Sequence, residues 1–331
     1  MFIIESYLLA VVFCILTMFA WGSWANTQKL ASPAWRFELY YWDYVMGIVL
    51  FSLVFALTAG SLGDQGRAFV QDLSQADPSN LGSAFWGGIL FNAANIQLVA
   101  AITIAGMSVA FPVGIGLALV IGVIVNYLDT PLGSPTILFG GVGLIVLAMI
   151  LNARAYQRLS ASQQKVPTKG LFLAVAAGAL MGLFYKYVAN AISPEFINPI
   201  PGKLGPYAAV FVFSLGILCS NFLFNVILMK KPLEGRSLSM GDYLKGGARD
   251  HLMGILGGVI WCIGMSFSIL ASDQAGPAIS YGLGQGATVV AALWGIFVWR
   301  EFRMAPPGVT RLLYWMLFLY LAGLSLIIAA R

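Results

Sequence analysis

Ten apolar stretches, each about as long as a bilayer crossing and joined by short polar segments, fill the chain from Phe2 to Ala330. A hydrocarbon core about 30 Å thick needs roughly 20 helical residues per crossing. That ruler predicts helices over 4–28, 40–60, 83–103, 108–128, 134–152, 170–191, 206–229, 251–271, 276–299 and 309–330. A closed β-barrel would alternate apolar and polar residues over segments of about ten, and runs such as Ile137–Leu151 do not alternate. The composition agrees with burial in lipid: 60% of the residues are hydrophobic and 9% charged, with mean hydropathy +0.86, against about 25% charged in soluble domains. The expectation is an all-α polytopic membrane protein. No Lys or Arg precedes the first stretch and no small-residue cleavage site follows it, so it reads as a retained helix rather than a secretory signal.

Charge sets the expected orientation. Of 18 Lys and Arg, Lys29, Arg36, Arg154, Arg158, Lys165, Lys169, Lys230, Lys231, Arg236, Lys245, Arg249, Arg300, Arg303 and Arg311 fall at joints 1–2, 5–6, 7–8 and 9–10, which share one side. The positive-inside rule makes that side cytoplasmic, so both termini are expected outside, with joints 2–3 (Ser61–Gly82) and 6–7 (Ile192–Gly205). This topology explains the net charge of +5 better than a nucleic-acid partner does. Cys14, Cys219 and Cys262 are scattered inside spans and supply neither a disulfide framework nor a metal-ligand spacing.

A gapless match at an offset of 170 pairs Ala105-Gly106 with Ala275-Gly276, Gly114 and Gly116 with Gly284 and Gly286, and Phe111 with Tyr281. Five crossings per half return the chain to the opposite face, so the second half would be inverted relative to the first. Such repeats suit alternating access. The expectation is one transmembrane domain over 1–331, with inverted repeats over about 1–152 and 170–331.

Function must then lie in polar groups inside the spans. Asn92 and Asn95 share a helix face near the middle of span 3. They would hydrogen-bond a neutral solute or clamp two helices together. If both serve the solute, replacing both by leucine abolishes uptake without loss of folded protein. Gln285 sits inside Gly282-x-Gly284-x-Gly286, where the backbone could bend toward a ligand, and a buried amide without a partner costs on the order of several kcal/mol. Trp21, Trp24, Tyr185, Trp261 and Tyr281 lie at comparable depth, and Trp21, Trp261 and Tyr281 are expected to line the solute cavity. Trp261 is too deep for an interfacial belt and is either packing or a flat wall for a ring. Lys186, about sixteen residues into span 6, would snorkel to the interface or meet water, a carboxylate or the solute.

Proton coupling requires an ionisable group, and the candidates are Asp43, Asp250 and His251, with Asp273 further along. A carboxylate at a helix start is also a common cap, and a lone His beside Arg249 and Asp250 is also an ordinary helix-end residue. No G-x-S-x-G, H-E-x-x-H or phosphate-cradling loop occurs, and a single His cannot build a multi-His metal site. No enzyme, metal or cofactor is expected.

Several segments carry a resemblance: Trp21-Gly22-Ser23-Trp24, Tyr41-Trp42-Asp43-Tyr44, Val120-Ile121-Gly122 with Asn126-Tyr127-Leu128-Asp129, and Trp294-Gly295-Ile296 with Glu301-Phe302-Arg303. They resemble the drug/metabolite transporter superfamily, and within it the ureide permeases and their bacterial relatives, which group with glucose/ribose and rhamnose uptake porters. The likeness runs nearly end to end, with Lys186 a departure from the ureide permeases. It implies a ten-helix, five-plus-five bundle and uptake of small polar metabolites, commonly driven by protons. The combined expectation is a secondary transporter in the inner (plasma) membrane. It would take up a neutral polar solute, a sugar or ribosyl compound first and a ureide or nucleobase second, coupled to protons first and sodium second. An exporter of amphiphiles and a passive facilitator are the alternatives.

Overall fold

The structure, a computed structural model, describes residues 1–105, 110–159, 167–233, 235–300, 302–303 and 305–331. Gly106, Lys165 and Glu301, used in the sequence reading, lie outside the described residues, as does the predicted start of span 4. Among the described residues the chain is helical without a strand, apart from one isolated bridge between Ile192 and Leu204.

Helices run in the order α1 (Tyr7–Ser23), α2 (Asn26–Leu30), α3 (Phe37–Leu57), α4 (Phe69–Gln75), α5 (Pro78–Ala105), a π-helical turn (Phe111–Ile115) leading into α6 (Gly116–Asp129), α7 (Pro135–Leu159) and α8 (Thr168–Ala191). Then come α9 (Pro206–Lys230), α10 (Met240–Tyr243), α11 (Ala248–Ala275), α12 (Pro277–Gly284), α13 (Ala287–Leu293), a π-helical turn (Trp294–Val298) and α14 (Val309–Ala329). Among the described residues eight segments are long and apolar enough to cross a membrane, and Tyr7–Ser23 and Val113–Asp129 are shorter apolar helices.

Local chemistry fixes the helix ends. Pro206 and Pro277 occupy first-turn positions, where the missing N–H is no loss and φ is already helical. Ser239 and Asp242 form a reciprocal capping box on α10. The span predicted over 276–299 is broken: α12 stops at Gly284, a tight turn follows at Gln285 and Gly286, and α13 resumes at Ala287.

Close approach of backbones holds the bundle together. A Cβ at Gly258 would lie 1.9 Å from the Tyr44 carbonyl oxygen, and one at Gly88 would lie 2.1 Å from that of Phe213, so α11 packs on α3, and α5 on α9, through bare glycine faces. The other main contacts are α1 with α11, α5 with α8, α6 with α8, α12 and α13 with α1, α3 with α9, α6 with α12, and α7 with α14.

The two ends of the bundle differ. At one end, joints 58–77 and 192–205 lock together: the Gly205 N–H donates to Asp72 Oδ2 (2.6 Å), Asn80 Nδ2 to Gly202 O (2.8 Å) and Arg67 Nη2 to Lys203 O (2.8 Å). Burial in this cap pushes the Asp72 carboxyl up, opposed by the Gly205 N–H and Arg67. Both termini lie at this capped end, since the Met1 ammonium donates to Gln65 O (2.6 Å) and Ser134 N donates to Ala330 O (2.7 Å). The opposite, basic end carries α2, α10 and the short joints with Lys29, Arg36, Lys230, Arg236 and Lys245.

Candidate functional site

A chamber of about 140 Å³ lies on the central axis, lined by Trp21, Trp24 and Ala25, by Phe91, Asn95 and Leu98 of α5, by Met181 and Phe184 of α8, by Trp261 of α11, and by Gln285, Thr288 and Ala291 around the helix break. Its lining runs from the middle of these helices toward the basic end. Toward the capped end it is sealed. The Tyr185 hydroxyl contacts Ser268 Oγ (3.0 Å), which contacts Ser280 Oγ (3.0 Å), while the Tyr281 hydroxyl donates to the carbonyls of Met181 (3.0 Å) and Ala118 (3.2 Å).

The walls are aromatic. Trp21 and Trp261 lie nearly parallel, at 14° with centroids 6.0 Å apart, and Trp21 Nε1 donates to the Trp261 carbonyl (3.2 Å). Phe91 packs on Trp261 at 4.3 Å. Polar atoms on such walls are few. Gln285, 7% exposed, makes no side-chain hydrogen bond within the described residues. It therefore offers a donor and an acceptor to whatever fills the chamber. Thr288 is engaged, its hydroxyl 2.6 Å from that of Tyr320.

Of the residues expected to meet a solute, Trp21, Asn95, Trp261 and Gln285 converge on this chamber. Asn92 does not reach it. Its Nδ2 donates to Ser220 Oγ (2.8 Å) and Ile217 O (3.3 Å), and its Oδ1 accepts from the Tyr41 hydroxyl (2.8 Å). Spacing of three puts both amides on one helix face, but α9 packs over the one and the chamber opens at the other. The joint effect expected of the two leucine substitutions therefore separates. Asn92→Leu should remove a tie among α3, α5 and α9 and lower stability by about 1–3 kcal/mol, read as a fall in Tm in detergent. An unchanged Tm would show that the clamp carries no load.

Tyr281 likewise stands behind the chamber wall, its hydroxyl spent on two backbone carbonyls. Lys186 points away from the chamber, its Nζ 3.0 Å from Asp129 Oδ1 with the two side chains 34% and 29% exposed. It sits one turn from the end of α8, where the ammonium reaches a carboxylate and solvent, so its high cost at the predicted depth is not incurred.

Among the ionisable candidates, Asp43 and His251 meet. Asp43, 2% exposed, holds the Nδ1 of His251 at 3.0 Å and accepts from the Tyr243 hydroxyl at 2.6 Å. Trp35 and Tyr243 pack edge-on against the imidazole, with centroids 4.9 and 4.8 Å away. Burial, and after it the Asp43 carboxylate, push the Tyr243 phenol above its ordinary range. Asp250 has a different place: it caps α11 at Gly247 and accepts from Ser32 N (2.8 Å). Sequence reasoning gave no role to Tyr41, which stands in the first turns of α3, or to Tyr243, which lies in a polar joint; neither position carries a local signal of its partners. The described residues hold no group of His, Cys, Asp and Glu able to bind a metal ion.

The family model for ureide permeases matches residues 40–167 and 157–330. The chain belongs to the ureide permease family. It is a membrane transporter and not an enzyme. Ureide permease 4 of Arabidopsis thaliana is 22% identical over 397 residues, covering 100% of this chain and 99% of its own. Ureide permease 2 of the same plant is 22% identical over 395 residues, with the same coverage. Probable ureide permease A3 of Vigna unguiculata is 27% identical over 169 residues, covering 49% and 45%. A solved crystal structure shares the fold, with TM-score 0.60 and 13% identity over 96% of this chain and 95% of that one.

Proposed function

We propose that this ureide permease takes up a small neutral ureide across the plasma membrane by proton-coupled alternating access. The observation that carries the reading is the chamber itself, which the amide-bearing residues Asn95 and Gln285 line together with aromatic walls. A ureide is planar and alternates N–H donors with carbonyl acceptors, so it can stack and hydrogen-bond at once. The relatives' names bring the ureide to this chain. A sugar or ribosyl solute fits the polar atoms, but parallel indoles favour a flat ring. A cavity of about 140 Å³ is small for the amphiphiles of an exporter, since drug-sized ligands occupy roughly 300–1,000 Å³.

In this reading the chain is one domain of ten spans, the two shorter apolar helices included, in two inverted repeats within the drug/metabolite transporter superfamily. The packing supports it. Exchanging the first five spans for the last five turns α1 on α11 into α8 on α5, α3 on α11 into α9 on α5, and α6 on α8 into α12 and α13 on α1, while α3 with α9, α6 with α12 and α7 with α14 map onto themselves. The offset of 170 also relates Gly88 to Gly258 and Phe91 to Trp261, each pair in equivalent contacts. With the basic end cytoplasmic and both termini outside, the sealed Tyr185–Ser268–Ser280 side is the outer gate, and the state is inward-facing.

Protons would act at Asp43 and His251, which join α3 to α11 under the α10 turn. The groups around this pair are Tyr243, Tyr40 and Asp250. Counterflow in proteoliposomes, with allantoin, nucleosides and sugars as the panel, tests the reading. Allantoin should exchange, and an inward proton gradient, rather than a sodium gradient, should drive its accumulation. Asp43→Asn should keep exchange while losing acceleration by the proton gradient. A variant that still accumulates solute against its gradient would remove Asp43 from coupling, and exchange of sugars without allantoin would reverse the substrate assignment.

A further inference from the structure

Which atom of a buried amide faces a ligand is decided by the hydrogen bonds of its other atom. For Asn95 that decision is made through Asn92, three residues away, at backbone carbonyls of α9 that can only accept. Ser220 Oγ donates to Gly216 O (2.8 Å) or Ile217 O (3.1 Å), having spent its proton on its own helix. Toward Asn92 it can therefore only accept. Ile217 O imposes the same condition, so the Asn92 nitrogen must face α9, where it lies 2.8 Å from Ser220 Oγ and 3.3 Å from Ile217 O. Its Oδ1 then faces Tyr41 and takes the phenol proton at 2.8 Å.

With its proton committed, the Tyr41 oxygen can only accept from Asn95, whose Nδ2 donates to it at 3.1 Å. The remaining atom of Asn95, its Oδ1, has no hydrogen-bond partner among the described residues and is not fully buried, on a residue that lines the chamber. Every link but this last atom is buried, which excludes water as a competing partner that would scramble the direction.

We propose that Tyr41 is a specificity-determining positioning residue: through the chain Ile217 O, Ser220, Asn92, Tyr41, Asn95 it presents Asn95 to the solute as an acceptor only, so that a transported molecule must carry a hydrogen-bond donor at that point, which in a ureide is an N–H. This deepens the ureide reading and rests on it. A site built to accept from an N–H rejects an analogue that lacks it far more strongly than an apolar pocket rejects a change of size. Tyr41→Phe keeps the ring, stacked against Tyr44 at 5.3 Å, and removes the hydroxyl that fixes the amide. Asn95 is then free to turn its NH2 toward the chamber.

The test is inhibition of allantoin counterflow by hydantoin and by its two singly N-methylated forms. In the wild type one methylated position should weaken inhibition at least roughly tenfold, the discrimination expected of one hydrogen-bond donor lost against a fixed acceptor. In Tyr41→Phe that ratio should fall to within about threefold of one, with counterflow of allantoin still measurable and Tm in detergent showing folded protein. Asn92→Leu, if it folds, should relax the same ratio without touching Asn95 or the chamber. Equal inhibition by all three compounds in the wild type would overturn the proposal and leave ureide uptake standing. So would an unchanged ratio in folded Tyr41→Phe. Absence of any allantoin or hydantoin recognition by the wild type would bring down the ureide reading itself and this proposal with it.

Discussion

Replacing Gln285 by leucine should reduce uptake by roughly 100-fold while leaving the folded protein at least as stable as the wild type. The two effects separate because the Gln285 side chain makes no hydrogen bond within the described residues although it is only 7% exposed. Removing it severs no tie among the described residues and relieves the cost of holding an amide among indoles. A solute that used both its donor and its acceptor would lose two hydrogen bonds, each worth about 1.5 kcal/mol, which multiply to about two orders of magnitude in binding. Initial-rate uptake of allantoin and Tm in detergent, measured on the same preparation, check it. Wild-type uptake would exclude Gln285 from the solute path, and a large drop in Tm would assign it a packing role instead.

Gly258→Ala is expected to leave little folded transporter. An added methyl would sit 1.9 Å from the Tyr44 carbonyl oxygen and 2.9 Å from the Ile48 nitrogen, both backbone atoms that cannot rotate away. α3 would have to retreat from α11 by on the order of 1 Å, opening contacts along the whole seam. The cost should exceed about 3 kcal/mol, enough to unfold many proteins of ordinary stability. Gly88→Ala should behave alike, because its methyl would meet the Phe213 carbonyl oxygen at 2.1 Å across α5 and α9. The monodisperse fraction on size exclusion and the Tm of what survives would report it. By contrast Gly82, whose added methyl would meet nothing within 4 Å, should accept alanine. Near-normal yield of Gly258→Ala would mean that the helices are not held at this distance.

Much of the bundle was legible in the chain because lipid imposes one rule on every segment: an apolar run long enough to cross must satisfy its own backbone, and only a helix does so locally. That rule placed most spans within a few residues, from Phe37–Leu57 to Val309–Ala329. The glycines around Gln285 announced a break, since three residues without side chains hold a helix poorly, and the chain does turn there. Asn95, Trp21, Trp261 and Gln285 could be named from depth alone, because a polar or bulky aromatic group in mid-membrane needs a reason to be there.

Depth could not say which polar group faces the chamber and which faces a neighbouring helix. Asn92 and Asn95 are three residues apart on one face, yet one is clamped by Ser220 and the other lines the chamber. Lys186 and Asp129 are 57 residues apart and find each other only when α8 packs beside α6. Asp43, Tyr243 and His251 come from a span, a joint and the next span, and no local spacing records their meeting. The sequence by itself determined which segments enter the membrane and which polar residues go with them, because transfer to lipid is a property of each segment alone. Only the tertiary structure decided which of those residues share a chamber, which lock helices together, and which way an amide points. Those outcomes depend on partners brought from distant parts of the chain.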